Sequence, residues 1–165
     1  YGDVFPEPDS LVGRVARLMG TDGQAKMSKS IGNVIYLSDA PETVTKKIMS
    51  MYTDPTRLRA TDPGHVEGNP VFQYHDAFNN DSAEVADLKE RYTKGKVGDV
   101  EVKQKLIEAV NKFLEPIREV RTRYEQDSNY VDECIENGSA KGRATAQATM
   151  EEVRDKMGLK YGSLS

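Results

Sequence analysis

The apolar positions between 99 and 126 form a single stripe. Val102, Leu106, Val110, Phe113, Ile117, Val120 and Tyr124 are separated by 4, 4, 3, 4, 3 and 4 residues. That recurrence puts side chains on one face of an α-helix, so the spacing predicts one long helix over 99–126. Pro116 lies inside it; the missing backbone donor there is expected to kink it. Shorter groups upstream read the same way. Val44, Ile48 and Met51 follow Asp39, Pro41 and Glu42, which predicts a helix with Asp39 as N-cap, ending before Asp54-Pro55. Pro70 to Phe78 predicts a short helix with Phe72, Tyr74 and Phe78 partly buried. Asp81-Ser82 predicts a cap for a helix that turns Val85, Leu88 and Tyr92 inward.

Downstream, Val131 to Ile135 begins a further helix, with Asn137-Gly138 as its expected C-cap. Ala140, Ala144, Ala148, Val153 and Met157 then predict a last helix ending at Gly158, its small residues pointing to close helix packing. The front of the chain differs. Gly2, Pro6 and Pro8 mark a loop, 12–19 and 34–37 read as short extended segments, and 53–69, rich in Thr, Asp, Pro and Gly, reads as a long surface loop. Lys94 to Gly98 reads as a linker. No repeat and no βαβ pattern is visible. The pattern is mainly α, a helical bundle behind a loop-rich front end.

Composition narrows the class. The 165 residues are 37% hydrophobic and 30% charged, as in a globular protein with one real core. No apolar run reaches bilayer-spanning length and no signal peptide stands at the start; no membrane association and a reducing cytoplasmic location are expected. Cys134 is the single cysteine, which leaves no partner for an internal disulfide and no basis for a zinc site. Beside Val131 and Ile135 it is expected to be a buried small hydrophobe, and no metal-ligand set is assigned. Net charge is −4, unevenly spread. Residues 14–59 hold eight Lys or Arg (Arg14, Arg17, Lys26, Lys29, Lys46, Lys47, Arg57, Arg59) against four acids, +4, while the rest carries fifteen against twenty-three, −8. A phosphate-bearing partner is expected near the first third.

The chemistry concentrates in Gly-Thr-Asp-Gly-Gln-Ala-Lys-Met-Ser-Lys-Ser-Ile-Gly-Asn, residues 20–33. Two ammonium groups, two hydroxyls and a glycine-flanked backbone occur within a few residues, the means to grip a polyphosphate. An ordinary solvated loop has the same composition. The order Lys26-Met27-Ser28-Lys29-Ser30 is what resembles a known family, the class I aminoacyl-tRNA synthetases. Tyr1–Pro8, 13–19, 46–55, 68–78 and 148–159 resemble bacterial tryptophanyl-tRNA synthetases in the family's order.

That resemblance implies that residues 1–37 are the end of a Rossmann-type catalytic domain carrying the signature loop, and that 38–165 are an α-helical C-terminal domain. It implies Lys29 as the main contact to the leaving pyrophosphate of ATP and Lys26 as the second. Ser28 and Ser30 act as donors, Met27 packs the loop, Gly32-Asn33 forms the returning turn, and the Val15 backbone contacts adenine. ATP would be a substrate with Mg2+ on its phosphates; tryptophan, tRNA(Trp) and a second subunit would be partners. A His-x-Gly-His signature is missing: of two histidines, His65 is expected in a loop and His75 on a helix surface or satisfied in the core. The chain is therefore expected to be roughly the C-terminal half of a tryptophan–tRNA ligase, inactive alone. A synthetase for a related aromatic amino acid, and a non-catalytic helical module binding RNA or protein, remain as alternatives.

Overall fold

The computed structural model describes residues 1–159 other than Arg14, Ala16, Ala25 and Ala60. Five helices occur among the described residues: α1 (Pro41–Met49), α2 (Pro70–Phe78), α3 (Ser82–Thr93), α4 (Asp99–Glu125) and α5 (Ser128–Lys156). The chain forms two compact units, Val12–Arg121 and a second built from Tyr1–Leu11 with Thr122–Ser165. The segments read as extended, 12–19 and 34–37, form no strand; the described front end has one isolated antiparallel bridge, Met19 with Lys26.

The first unit holds the core. Val44 and Ile48 of α1, Phe72 and Tyr74 of α2, Leu88 and Tyr92 of α3, and Leu106, Val110 and Leu114 of α4 are buried together. Each such side chain contributes roughly 1.5–3 kcal/mol. Phe72 meets Tyr92 edge-on at 5.0 Å, the arrangement aromatic quadrupoles favour. The helix starts follow local chemistry. Asn69 caps α2 by accepting from the Val71 N–H, and Asp81 caps α3 by accepting from Ala83 and Glu84.

Several expectations need correction. Asp39 does not cap α1: Ala40 occupies that position without a side-chain bond. The Asp39 carboxylate instead accepts the Tyr36 N–H and pairs with Lys47. The long helix runs to Glu125 with Pro116 inside it, but its stripe drifts: Leu114 is buried, whereas Phe113, Val120 and Tyr124 are exposed. Four-residue steps from Val102 lead to Leu114, and Phe113 lies at the edge of the buried face. Finally, the two helices expected after 128 are one. Asn137-Gly138 is not a cap, because Gly138 has no positive φ and α5 continues through it. Gly158 does, at φ 68°, just past the C-cap Met157. No described residue of α5 is buried. Cys134 is exposed, and so are Ala140, Ala144 and Ala148, against the expectation of close packing.

Buried polar groups fasten the irregular segments. Asp54, in the 53–69 loop, is 3% exposed. Burial pushes its carboxyl up, but hydrogen bonds from Thr56 and His65 outweigh this and hold it well below the usual carboxylate range. Arg57, one of the cations expected near a phosphate partner, is buried instead. Its guanidinium donates to the carbonyls of Asp62 and Val97, pairs with Asp99 at 3.2 Å, and lies 4.1 Å over the Tyr92 ring. Lys103 is buried too, its ammonium donating to Met49 O, Met51 O and Thr53 Oγ1 at 2.7–3.1 Å. It thus satisfies carbonyls at and just past the C-terminus of α1, while burial pushes its pKa down.

Both histidines are structural. His65 stays in the exposed loop, bonded to Asp54 and Thr56. His75 is fully buried between Val102 O, 3.0 Å from Nε2, and the Asn79 carboxamide; burial lowers its pKa.

Two predictions follow from these groups. His75 and Asp54 both have folded-state pKa values below their usual 6.5 and 3.8. In each case the unfolded chain takes up the proton first as pH falls, so stability present above the ordinary pKa is lost below it. Urea midpoints should fall in two steps, the first starting near the ordinary His value and the second near the ordinary Asp value. Asp54→Asn should shrink the second step, leaving what Glu84 contributes, and lower the midpoint at neutral pH. Lys103→Met, which keeps the stem but strips the donors from buried carbonyls, should cost roughly 1–3 kcal/mol in the same assay.

Candidate nucleotide-phosphate site

The signature loop is folded around one side chain. Asn33 is 5% exposed. Its Oδ1 accepts the Ser28 N–H at 2.8 Å; its Nδ2 donates to Asp22 Oδ2 at 3.0 Å and to the Lys26 carbonyl at 3.3 Å. Backbone bonds complete the frame: Thr21 N–H to Asn33 O, Gly23 to Gly20, Gly32 to Ser28, and Tyr52 to Thr21 O, which ties the loop to the chain after α1. Gly32 turns with φ 77°. Gly20 is set by space: a Cβ there would lie 2.1 Å from Asn33 Nδ2, far inside contact distance.

The loop is also fastened to the helical core. The Tyr74 hydroxyl of α2 donates to Met19 O at 3.0 Å and lies 3.5 Å from Met27 Sδ. Burial and then the charge of Asp22 push the phenol up to about 12, so it remains a donor at neutral pH.

This frame leaves the charged chemistry outward. Lys26, Lys29 and Ser30 are exposed, Ser28 is half-buried, and Ser28 Oγ stands 2.8 Å from Ser30 Oγ. Neither Lys26 nor Lys29 has a carboxylate partner among the described residues. Unpaired ammonium groups three residues apart, with two touching hydroxyls between and beside them, suit a polyanion. Met27 turns inward from between the lysines. Of the other cations expected here, Lys47 is paired with Asp39 and Arg57 is buried; Lys46 and Arg59 are exposed and Arg14 lies outside the described residues. Val15 is half-buried between two undescribed residues. Among the described residues no group of three His, Cys, Asp or Glu side chains is placed to hold a metal.

The family model described as tRNA synthetases class I (W and Y) matches residues 1–115. The chain belongs to this family. It is 58% identical over 159 residues to the tryptophan–tRNA ligase of Treponema pallidum, covering 96% of this chain and 47% of that protein. It is 53% identical over 156 residues to that of Borreliella burgdorferi, covering 94% and 44%. Among solved structures it resembles the tryptophanyl-tRNA synthetase of Campylobacter jejuni complexed with ADP and tryptophan: 34% identity, TM-score 0.72, 94% of this chain and 48% of that one. The chain thus spans about half the length of the curated relatives it matches, which are aminoacyl-tRNA synthetases, enzymes of protein biosynthesis.

Asn33, with Gly32, reads in the sequence only as a turn. Its polar residue type and place at the end of the Gly-rich run were the available signals; the partner Asp22, eleven residues away, was not foreseeable from pattern. Asn33→Ala should raise hydrogen exchange at the Ser28 amide, which its carboxamide holds, and lower stability by roughly 1–3 kcal/mol, the range for buried bonds lost on one side. Gly20→Ala, which forces Asn33 from its place, should reproduce the exchange pattern. Unchanged Ser28 exchange in both variants would show that Asn33 does not organise the loop.

Proposed function

We propose that this chain is the C-terminal portion of a tryptophan–tRNA ligase and supplies the ATP-pyrophosphate loop for tryptophan activation together with a helical, tRNA-facing domain. The observation that carries this reading is the Asn33-held loop with Lys26 and Lys29 exposed and unpaired in a chain of this family. The relatives' names support tryptophan and tRNA(Trp) as substrates. The solved relative's complex with ADP and tryptophan supports a nucleotide and that amino acid. Work in the cytoplasm as a homodimer is part of the same proposal.

In the proposed reaction the tryptophan carboxylate attacks the α-phosphorus of ATP. A carboxylate O–P bond forms, the bond to the β-phosphate oxygen breaks, and pyrophosphate leaves with the electron pair. Negative charge grows on the departing β,γ-phosphates. Cations that meet this charge more strongly than they meet ATP lower the barrier. Lys29 is assigned the main contact and Lys26 the second; Ser28 and Ser30 donate hydrogen bonds, and Val15 offers backbone to adenine. Met27 anchors the segment from its inner side. The Mg2+ expected with ATP is assigned to the substrate's phosphates and not to a site resident in the chain.

In the complete enzyme, Lys29→Ala should slow adenylate formation by about 10²–10³-fold, the loss typical of one preorganised donor, with tryptophan affinity nearly unchanged. Lys26→Ala should act in the same direction, less severely. Lys46→Ala, on α1, is the control, an exposed cation outside the loop. Single-turnover adenylate formation beside equilibrium tryptophan binding measures this; equal small effects for Lys29 and Lys46 would remove the loop from catalysis.

A further inference from the structure

Met27 is the one side chain of the 26–30 run with an inward partner in the core. Its neighbours Lys26 and Lys29 are exposed while Met27 is half-buried, with sulfur 3.5 Å from the Tyr74 hydroxyl. The same hydroxyl donates at 3.0 Å to the carbonyl of Met19, which is bridged to Lys26. Tyr74 is 2% exposed and belongs to a regular helix, so its oxygen is a fixed point. One rigid hydroxyl therefore touches the loop twice, at its incoming stem and between its two lysines.

Beside this contact lies a small apolar cavity of about 50 Å³, with Met27, Ile35, Tyr74, Phe78, Phe113 and Leu114 among its lining. Its apolar lining is incompletely packed on the cavity side. A thioether on three rotatable bonds adapts to such a space where a stiffer side chain would not. Phe78 and Phe113, 5.1 Å apart, wall it on the outer side. The loop thus rests on an apolar foot next to spare volume, while Asn33 fixes its internal shape.

We infer that Met27 and Tyr74 are positioning residues: the Met27 foot, set against Tyr74 in the cavity between α2 and α4, holds Lys26 and Lys29 in register with the leaving pyrophosphate. The inference rests on the proposed pyrophosphate role of the loop. Asn33 governs how the loop is folded; the Met27 foot governs where the folded loop stands on the core. An error of an ångström in that placement suffices to weaken charge stabilisation, without altering any group that touches ATP.

The test compares Met27→Ala, Met27→Leu and Tyr74→Phe in the complete enzyme, with Lys29→Ala alongside. Met27→Ala removes the foot and Tyr74→Phe removes only the hydroxyl; each should lower kcat for adenylate formation by up to about 10²-fold, with KM for tryptophan unchanged. Met27→Leu, which restores apolar volume, should recover most of the rate lost in Met27→Ala. Hydrogen exchange across residues 26–30 should rise in Met27→Ala and Tyr74→Phe. Unchanged kcat in Met27→Ala, or a KM for tryptophan that rises in step with the lost rate, would overturn the assignment. If Lys29→Ala is itself without effect, the pyrophosphate reading fails. If Lys29→Ala is crippled while the Met27 and Tyr74 variants are not, only the positioning role fails.

Discussion

A polar group taken out of water must find partners inside the protein, and unpaired it costs about as much as several good contacts return. This constraint governs the first unit. Long stretches of its chain are neither helix nor strand, so their backbone groups have no ladder to satisfy them. Buried polar side chains take over: Asn33 for the 20–33 loop, Asp54 and Arg57 for 53–69, Lys103 for the end of α1. Each is held in an apolar setting and meets several backbone partners. The loops are therefore ordered segments whose shape is specified by a few side chains, and the signature residues inherit that order.

The same division explains what was legible in the chain. Helices α2, α3 and most of α4 follow from periodicity and from caps such as Asp81, because their signals are local. The Lys26–Ser30 motif was legible because its order is distinctive. The anchors were not. Arg57 read as one more cation, and its true partners Val97 and Asp99 lie 40 and 42 residues away. Tyr74 reads as one of three partly buried aromatics on a short helix, yet it reaches back 55 residues to Met19. Contacts of that separation leave no period in a sequence. The miss at Phe113 has a different origin: alternating steps of three and four fit a stripe as well as the continued four-residue step that leads to Leu114.

Charge shows how burial redistributes function. The eight basic residues of 14–59 look equivalent as letters. Folded, Arg57 is consumed by structure and Lys47 by Asp39, while Lys26 and Lys29 remain open. A site for anions is thus defined less by how many cations a segment contains than by which of them the fold leaves unsatisfied.

Helix α5 presents the opposite case. It runs for 29 residues without a buried side chain, and Gly138 and Gly142 sit in its interior. Each glycine weakens a helix by about 1 kcal/mol relative to alanine. With no buried side chain, its order rests on caps, on neighbouring-turn pairs such as Lys156 with Glu152, and on a few surface contacts within its unit: the Lys156 ammonium on the Asp3 carbonyl and the Tyr124–Tyr130 stack. Surface contacts of this kind leave a helix free to fray from its ends as temperature rises. Warming the chain should thus have two signatures at once: a sharp collapse where Ile48, Phe72 and Leu106 pack, and a slow, sloping loss of ellipticity from the residues that follow Asp127.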